Sequence, residues 1–172
     1  MLAGVPPSRF CSFVADPSSH EKPQQFADAI HDACIAAGWT QVPSIDAVLS
    51  IFVLSAVVPS REAAFIGAVA TAIRPGGTLC LRDYAIGDLP MLRFAASARR
   101  LKDAPLFQRG DATLARFYDK EDLVARVMQA AADAGVGLRC SDSEYCCVQV
   151  KNRAEQLDMR RVFVHAQFVR ES

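Results

Sequence analysis

The chain lacks an excess of charge of either sign: Lys and Arg total 19, and Asp and Glu also total 19. No whole-chain electrostatic argument for nucleic acid follows, so such a partner needs a local basic patch. Metal-binding spacing is missing as well. The six cysteines are Cys11, Cys34, Cys80, Cys140, Cys146 and Cys147, and none forms a C-x-x-C pair. The three histidines, His20, His31 and His165, are scattered, which excludes a zinc pattern. Cys80 reads as a small buried hydrophobe, and all six thiols read as structural or incidental. Without a disulfide framework they suit a reducing compartment, cytoplasmic or nuclear. Met1 to Pro7 has no basic stretch followed by an apolar run, so no secretory signal is evident. The longest apolar run, Ala47 to Val58, is broken by Ser50 and Ser55 and is too short to span a bilayer. No membrane partner is expected. Finally, no G-x-G turn follows a strand. Gly76 and Gly77 precede a strand, and Gly135 and Gly137 follow a helix, so all four read as turn glycines.

What is present suits one domain spanning residues 1–172, with 51% hydrophobic residues to build its core. Ile45 to Tyr84 is its most regular stretch. An apolar strand over Ile45–Leu54 is expected to be covered on both faces, hence parallel and central. Ser60 is expected to cap the next helix, whose apolar face includes Phe65, Val69 and Ile73. Pro75-Gly76-Gly77 forms a tight turn into a strand over Thr78–Arg82. Upstream, residues 1–8 read as a disordered end. Arg9–Ala15 reads as a short strand ending at the turn cluster Asp16-Pro17-Ser18-Ser19. Gln24–Ala37 reads as a helix stopped by Gly38.

Residues 83–118 break the alternation. This long connection has one weak helical patch, Met91–Leu101, and a local excess of bases: Arg93, Arg99, Arg100, Lys102, Arg109 and Arg116. Connections of this length within a domain are usually functional or mobile. Asp119 then caps a helix that ends at Gly135. Leu138–Val150 and Arg161–Val169 read as two strands close enough to form an antiparallel hairpin. The order of elements argues an α/β fold with an open, mostly parallel sheet and a C-terminal antiparallel hairpin.

Three strings narrow this further: SIDAVLSIFVLSAVVPS, RPGGTLCLRDYAIGDLPMLRF and RRVFVHAQF. Together they resemble the tRNA 3-methylcytidine methyltransferases, within the Rossmann-like class I S-adenosylmethionine-dependent methyltransferases. Phe117-Tyr118 fits the family's aromatic pair before a helix. Val58 stands where the family has His, and Gly110-Asp111 reverses a family Asp-Gly. The resemblance implies the C-terminal part of such an enzyme, with the first strands and the glycine-rich turn missing. It implies a chain inactive alone, from an enzyme forming 3-methylcytidine in the tRNA anticodon loop.

The resemblance also implies roles. Asp16, with Pro17 beside it, and Ile51 would meet the S-adenosylmethionine cofactor. Arg82, Asp83 and Tyr84 would shape the target-base pocket, with residues 83–118 as the substrate-side insert. Arg93, Arg99, Arg100, Lys102 and Arg109 would contact tRNA phosphates, with Arg160 and Arg161 extending that surface. Partners would be tRNA and an aminoacyl-tRNA synthetase or partner subunit. Without the first strands, the Ile45–Leu54 strand would become an exposed apolar edge, inviting self-association. Two other readings stay open: a non-catalytic tRNA- or partner-binding subunit, and a class I methyltransferase with another acceptor.

Overall fold

The computed structural model describes residues 10–96, 101, 105–152 and 157–172. The end expected to be disordered, residues 1–8, lies outside them. The described part of the expected Arg9–Ala15 strand is not a strand: residues 10–16 run as irregular chain, with Phe10 and Phe13 both exposed. A strand is stabilised by a hydrogen-bonded neighbour, and among the described residues no strand pairs with this segment. It is held instead by the Cys11 thiol, which donates to the Ala33 carbonyl at 3.3 Å. A 3-10 turn, Pro17–Ser19, follows.

Helix α1 spans Pro23–Ala36 and ends where Gly38 takes a φ of +88°. Strand β1 spans Ile45–Ile51, and a 3-10 turn at Leu54–Ala56 leads to α2, Pro59–Ala72. Ser60 does not cap α2. Val58 is the capping residue and Pro59 the first helical one, because proline's fixed φ and missing N–H suit that position.

Strand β2, Ile73–Tyr84, starts directly after α2. Its register against β1 jumps from Ile45↔Ile73 to Ala47↔Thr78, so Arg74–Gly77 bulge out rather than form a separate turn. Only glycine fits at 77: a Cβ there would lie 2.6 Å from Ile73 Cγ2 and 2.8 Å from the Asp46 carbonyl.

The insert contains α3 (Leu89–Ala96) and a small hairpin of β3 (Leu106–Gln108) and β4 (Leu114–Arg116). Its own core is Phe107, Ala115 and Phe117, packed with Tyr84, Met91 and Phe94. Helix α4, Lys120–Asp133, is capped as expected: Asp119 accepts the Glu121 and Asp122 amides. Strands β5 (Leu138–Asn152) and β6 (Leu157–Arg170) form the long terminal hairpin.

The main sheet has the order β1-β2-β6-β5. Only β1 and β2 are parallel; β6 runs antiparallel to both its neighbours. Helices α2 and α4 pack side by side on one face. Phe65, Ile66 and Val69 of α2 and Leu123 and Val127 of α4 meet Leu79, Leu81, Val164 and Phe168 of the sheet. The apolar run of β1 sits at the edge of this sheet, not at its centre. Leu49 is 68% exposed and Ile51 is 50% exposed.

Candidate functional site

The carboxyl ends of β1 and β2 lie side by side, and the site is built there. Period-two alternation decides which side chains reach it. Leu79, Leu81 and Asp83 are buried; Cys80, Arg82 and Tyr84, on the other face of β2, are half-buried. The chain leaves β1 through Phe52, whose φ is +57° and whose amide donates to the Arg82 carbonyl at 2.8 Å. This turn sets the Phe52 ring on Tyr84, with centroids 5.0 Å apart and planes 27° from parallel. Phe163 of β6 closes the group edge-on to Phe52 at 5.2 Å.

Three guanidinium groups surround these rings. Arg82 lies 4.8 Å from the Phe163 centroid and 5.7 Å from that of Phe52. Arg109, in the β3–β4 loop, lies 5.5 Å from the Tyr84 centroid. Arg161 lies 5.7 Å from Tyr84 and 5.0 Å from Phe163. Such cation–π contacts fix planar cations against aromatic faces. Arg161 is held further by Asp88, which is fully buried and binds it through both oxygens at 2.9 Å. That hydrogen bond raises the Arg161 pKa above its ordinary value. Arg82 Nε and His165 Nε2 are buried without a hydrogen-bond partner. Burial, with the nearby Arg82 charge, holds His165 below its ordinary 6.5.

Asp83 takes the opposite side. It accepts the Ser55 amide at 2.9 Å and the Tyr84 amide at 2.8 Å, so it ties the turn after β1 to the end of β2. Burial raises its pKa, partly offset by Ser55, the Tyr84 amide and the Arg109 charge. The structure thus brings Arg82, Tyr84 and Arg109 together and sets Asp83 behind them. Arg93 is exposed in the last turn of α3. Arg99, Arg100 and Lys102 lie outside the described residues. Arg160 and Arg161 line a cavity of about 710 Å³ between α3 and the terminal hairpin.

The three expected cofactor residues do not meet in one cavity. Asp16 is exposed and accepts the Ser18 amide and hydroxyl, and the hydroxyl bond is the main reason its pKa is lowered. Its other oxygen lies 3.7 Å from Arg61. Pro17 lines an apolar cavity of about 480 Å³ with Phe13, Phe26, Val48 and Val53. Ile51 lines a separate cavity of about 270 Å³ with Arg82, Glu144 and His165.

Comparison with known proteins bears on what this cluster belongs to. A human tRNA N(3)-cytidine methyltransferase is 32% identical over 153 residues, 88% of this chain and 38% of that protein. A tRNA N(3)-methylcytidine methyltransferase of Schizosaccharomyces pombe is 37% identical over 121 residues, 70% of this chain and 46% of that protein. The chain is a relative of the tRNA N(3)-cytidine methyltransferases. O-methyltransferase 3 of Dictyostelium discoideum is also similar, 31% identical over 127 residues, 74% of this chain and 28% of that protein. The chain spans less than half the length of each of these relatives. No protein-family model matches it. A solved SAM-dependent methyltransferase of Anabaena variabilis superposes with a TM-score of 0.59 at 8% identity, covering 92% of this chain and 58% of that one. That likeness shows the fold alone, an α/β architecture shared with that structure.

Several residues of this cluster carry no local sequence signal. Phe163 reads as an ordinary apolar strand residue, and Phe52, which the family resemblance places on the floor beside Ile51, instead stacks on Tyr84. Asp88 stands inside the RDYAIGDLPMLRF string, and its place in so long a match was the available signal. The buried pair Glu62–Arg116, 2.5 Å apart, joins α2 to β4 from positions 54 residues apart, and carried no local signal. No helix among the described residues is long and apolar enough to cross a membrane.

Proposed function

We propose that this chain carries the acceptor side of an S-adenosylmethionine-dependent methyltransferase that forms 3-methylcytidine in the anticodon loop of tRNA. One observation carries the reading: Tyr84, stacked on Phe52, is flanked by the guanidinium groups of Arg82, Arg109 and Arg161. Exposed aromatic faces stack unpaired bases, and arginines beside them neutralise phosphates. In this reading Phe52 and Tyr84 take the flipped cytosine, and Arg82 and Arg109 meet its backbone. Neutral cytosine presents a lone pair at N3, so the protein needs no base to create the nucleophile. Its task is alignment and exclusion of water.

S-adenosylmethionine supplies an electrophilic methyl group. Ile51, half exposed at the carboxyl end of β1, fits its apolar part, since ligands of such sheets bind at that edge. Asp16 keeps one carboxylate oxygen free of hydrogen bonds from Ser18 and fits an exocyclic amine. Among the described residues no G-x-G turn follows a strand, and on that ground the isolated chain is proposed to be inactive. An aminoacyl-tRNA synthetase or partner subunit, and a cytoplasmic or nuclear location, remain part of the same proposal.

Filter binding of tRNA across salt concentration tests the reading. We expect binding with a clear salt slope, and a slope lower by about 1 for Arg109→Ala. Absence of salt-dependent binding would remove the nucleic-acid part. The likeness to a Dictyostelium O-methyltransferase favours a second reading, an acceptor other than tRNA.

A further inference from the structure

We propose that the cavity of about 710 Å³ between α3 and the terminal hairpin is a second base-binding subsite. It takes another unpaired base of the same RNA loop, one that carries an exocyclic amine. The inference rests on the acceptor reading above and adds to it a place where loop sequence is read.

One residue joins the cavity to the Tyr84 cluster. Arg161 lies 5.7 Å from the Tyr84 centroid and 5.0 Å from that of Phe163, and it also walls the cavity. The fully buried Asp88 holds it in that position through both carboxylate oxygens. A strand leaving the Tyr84 site past Arg161 therefore meets the cavity mouth. Two features keep that mouth open. Gly87, at a φ of +81°, has nothing within 4 Å of where a Cβ would stand, and Leu92 is 56% exposed.

The charge of the wall suits RNA. Arg161 is neutralised by Asp88, but its neighbour Arg160 is exposed and, among the described residues, forms no ion pair. An unpaired guanidinium beside an apolar recess matches a phosphate next to its base.

The lining divides by chemistry. Leu89 and Leu92 of α3 and Val148 and Val162 of the hairpin supply apolar surface for the faces of a base. The polar edge comes from the β5–β6 register, which sets Gln149 opposite Arg160, two residues from Asp158. Gln149 Nε2 donates to Asp158 Oδ2 at 3.2 Å. Gln149 Oε1 and Asp158 Oδ1 lie outside that bond, so the edge offers two acceptor oxygens. Such an edge selects a base that donates. Adenine, guanine and cytosine each present an exocyclic amine. Uracil flanks its one N–H with two carbonyl oxygens, which these acceptors repel.

The test is filter binding of the chain to anticodon stem-loop RNAs. Each amine-bearing loop base other than the target cytosine is changed in turn to uracil. At the position held by the cavity, uracil is expected to weaken binding about tenfold, because desolvated acceptors are left unmet. Asp158→Asn can donate as well as accept, and it should bring the two RNAs to within about twofold while keeping the salt slope. Leu92→Trp fills the cavity from an exposed position and should remove the same preference. Salt-dependent binding with no position sensitive to uracil, or with the preference kept in both variants, would overturn the subsite and leave the acceptor reading standing. Absence of salt-dependent binding would overturn the acceptor reading and the subsite together.

Discussion

Asp88, with no exposed surface, grips the Arg161 guanidinium through both carboxylate oxygens and also accepts the Val162 amide at 3.0 Å. The pair joins the start of the insert to the terminal hairpin, 73 residues away in sequence. It also fixes the guanidinium beside Tyr84 and Phe163. Removing one partner leaves a buried charge unpaired. Asp88→Ala is therefore expected to cost about 3–5 kcal/mol in urea denaturation. It should also weaken tRNA binding, because Arg161 loses its orientation. An unchanged unfolding midpoint would show that the pair does not hold the hairpin to the insert.

Glu62 and Arg116 make a second buried pair, with Tyr118 reaching the same carboxylate at 3.4 Å. Glu62 is 4% exposed and Arg116 is 6% exposed. Glu62→Leu or Arg116→Met alone is expected to destabilise by about 3–5 kcal/mol, while the two changes together should recover much of that loss. The check is a double-mutant cycle by chemical denaturation. Simple additivity of the two single changes would contradict the pairing.

Burial raises the Asp83 carboxyl above its ordinary value of 3.8. The native state therefore keeps this proton at pH values where the unfolded chain has released it. The stability it contributes is complete below 3.8 and is lost as pH rises through the raised native value. Asp83→Asn cannot titrate and should lack this dependence. Unfolding midpoints measured from about pH 3 to pH 7 should show wild type losing ground to the variant as pH rises. Parallel curves would place Asp83 in a solvated setting that the Ser55 and Tyr84 hydrogen bonds do not allow.

Much of this was legible in the residues themselves. The β1-α2-β2 unit, the Asp119 cap and the terminal hairpin follow from local signals: apolar runs, a capping carboxylate and turn glycines. The Arg9–Ala15 strand was misread because a strand is not a local object, and its side-chain pattern says nothing about whether a neighbour exists. The cap of α2 was misplaced by one common preference, Ser at the cap, over another, Pro at the first helical position. Arg82, Asp83 and Tyr84 were grouped as one pocket, although adjacent strand residues point to opposite faces. The alternation that places Asp83 behind the site was present in the sequence. Phe163 could not be found that way, since only the register of β6 against β2 sets it opposite Tyr84.

The edge position of β1 has a solution consequence. Among the described residues no strand lies beside its outer backbone groups, and Leu49 is 68% exposed. Edges of this kind pair with other chains unless charge or a bulge prevents it. Sedimentation velocity of the chain is expected to show concentration-dependent association, abolished by Leu49→Lys. A monomer at every concentration would contradict self-association through β1.

Tyr84 and its arginines are proposed as the acceptor site for tRNA. The direct measurement is mass spectrometry of tRNA nucleosides from the source organism with the gene deleted. The account predicts loss of 3-methylcytidine, restored by the wild-type gene and not by one carrying Tyr84→Ala. Unchanged 3-methylcytidine in the deletion would contradict it.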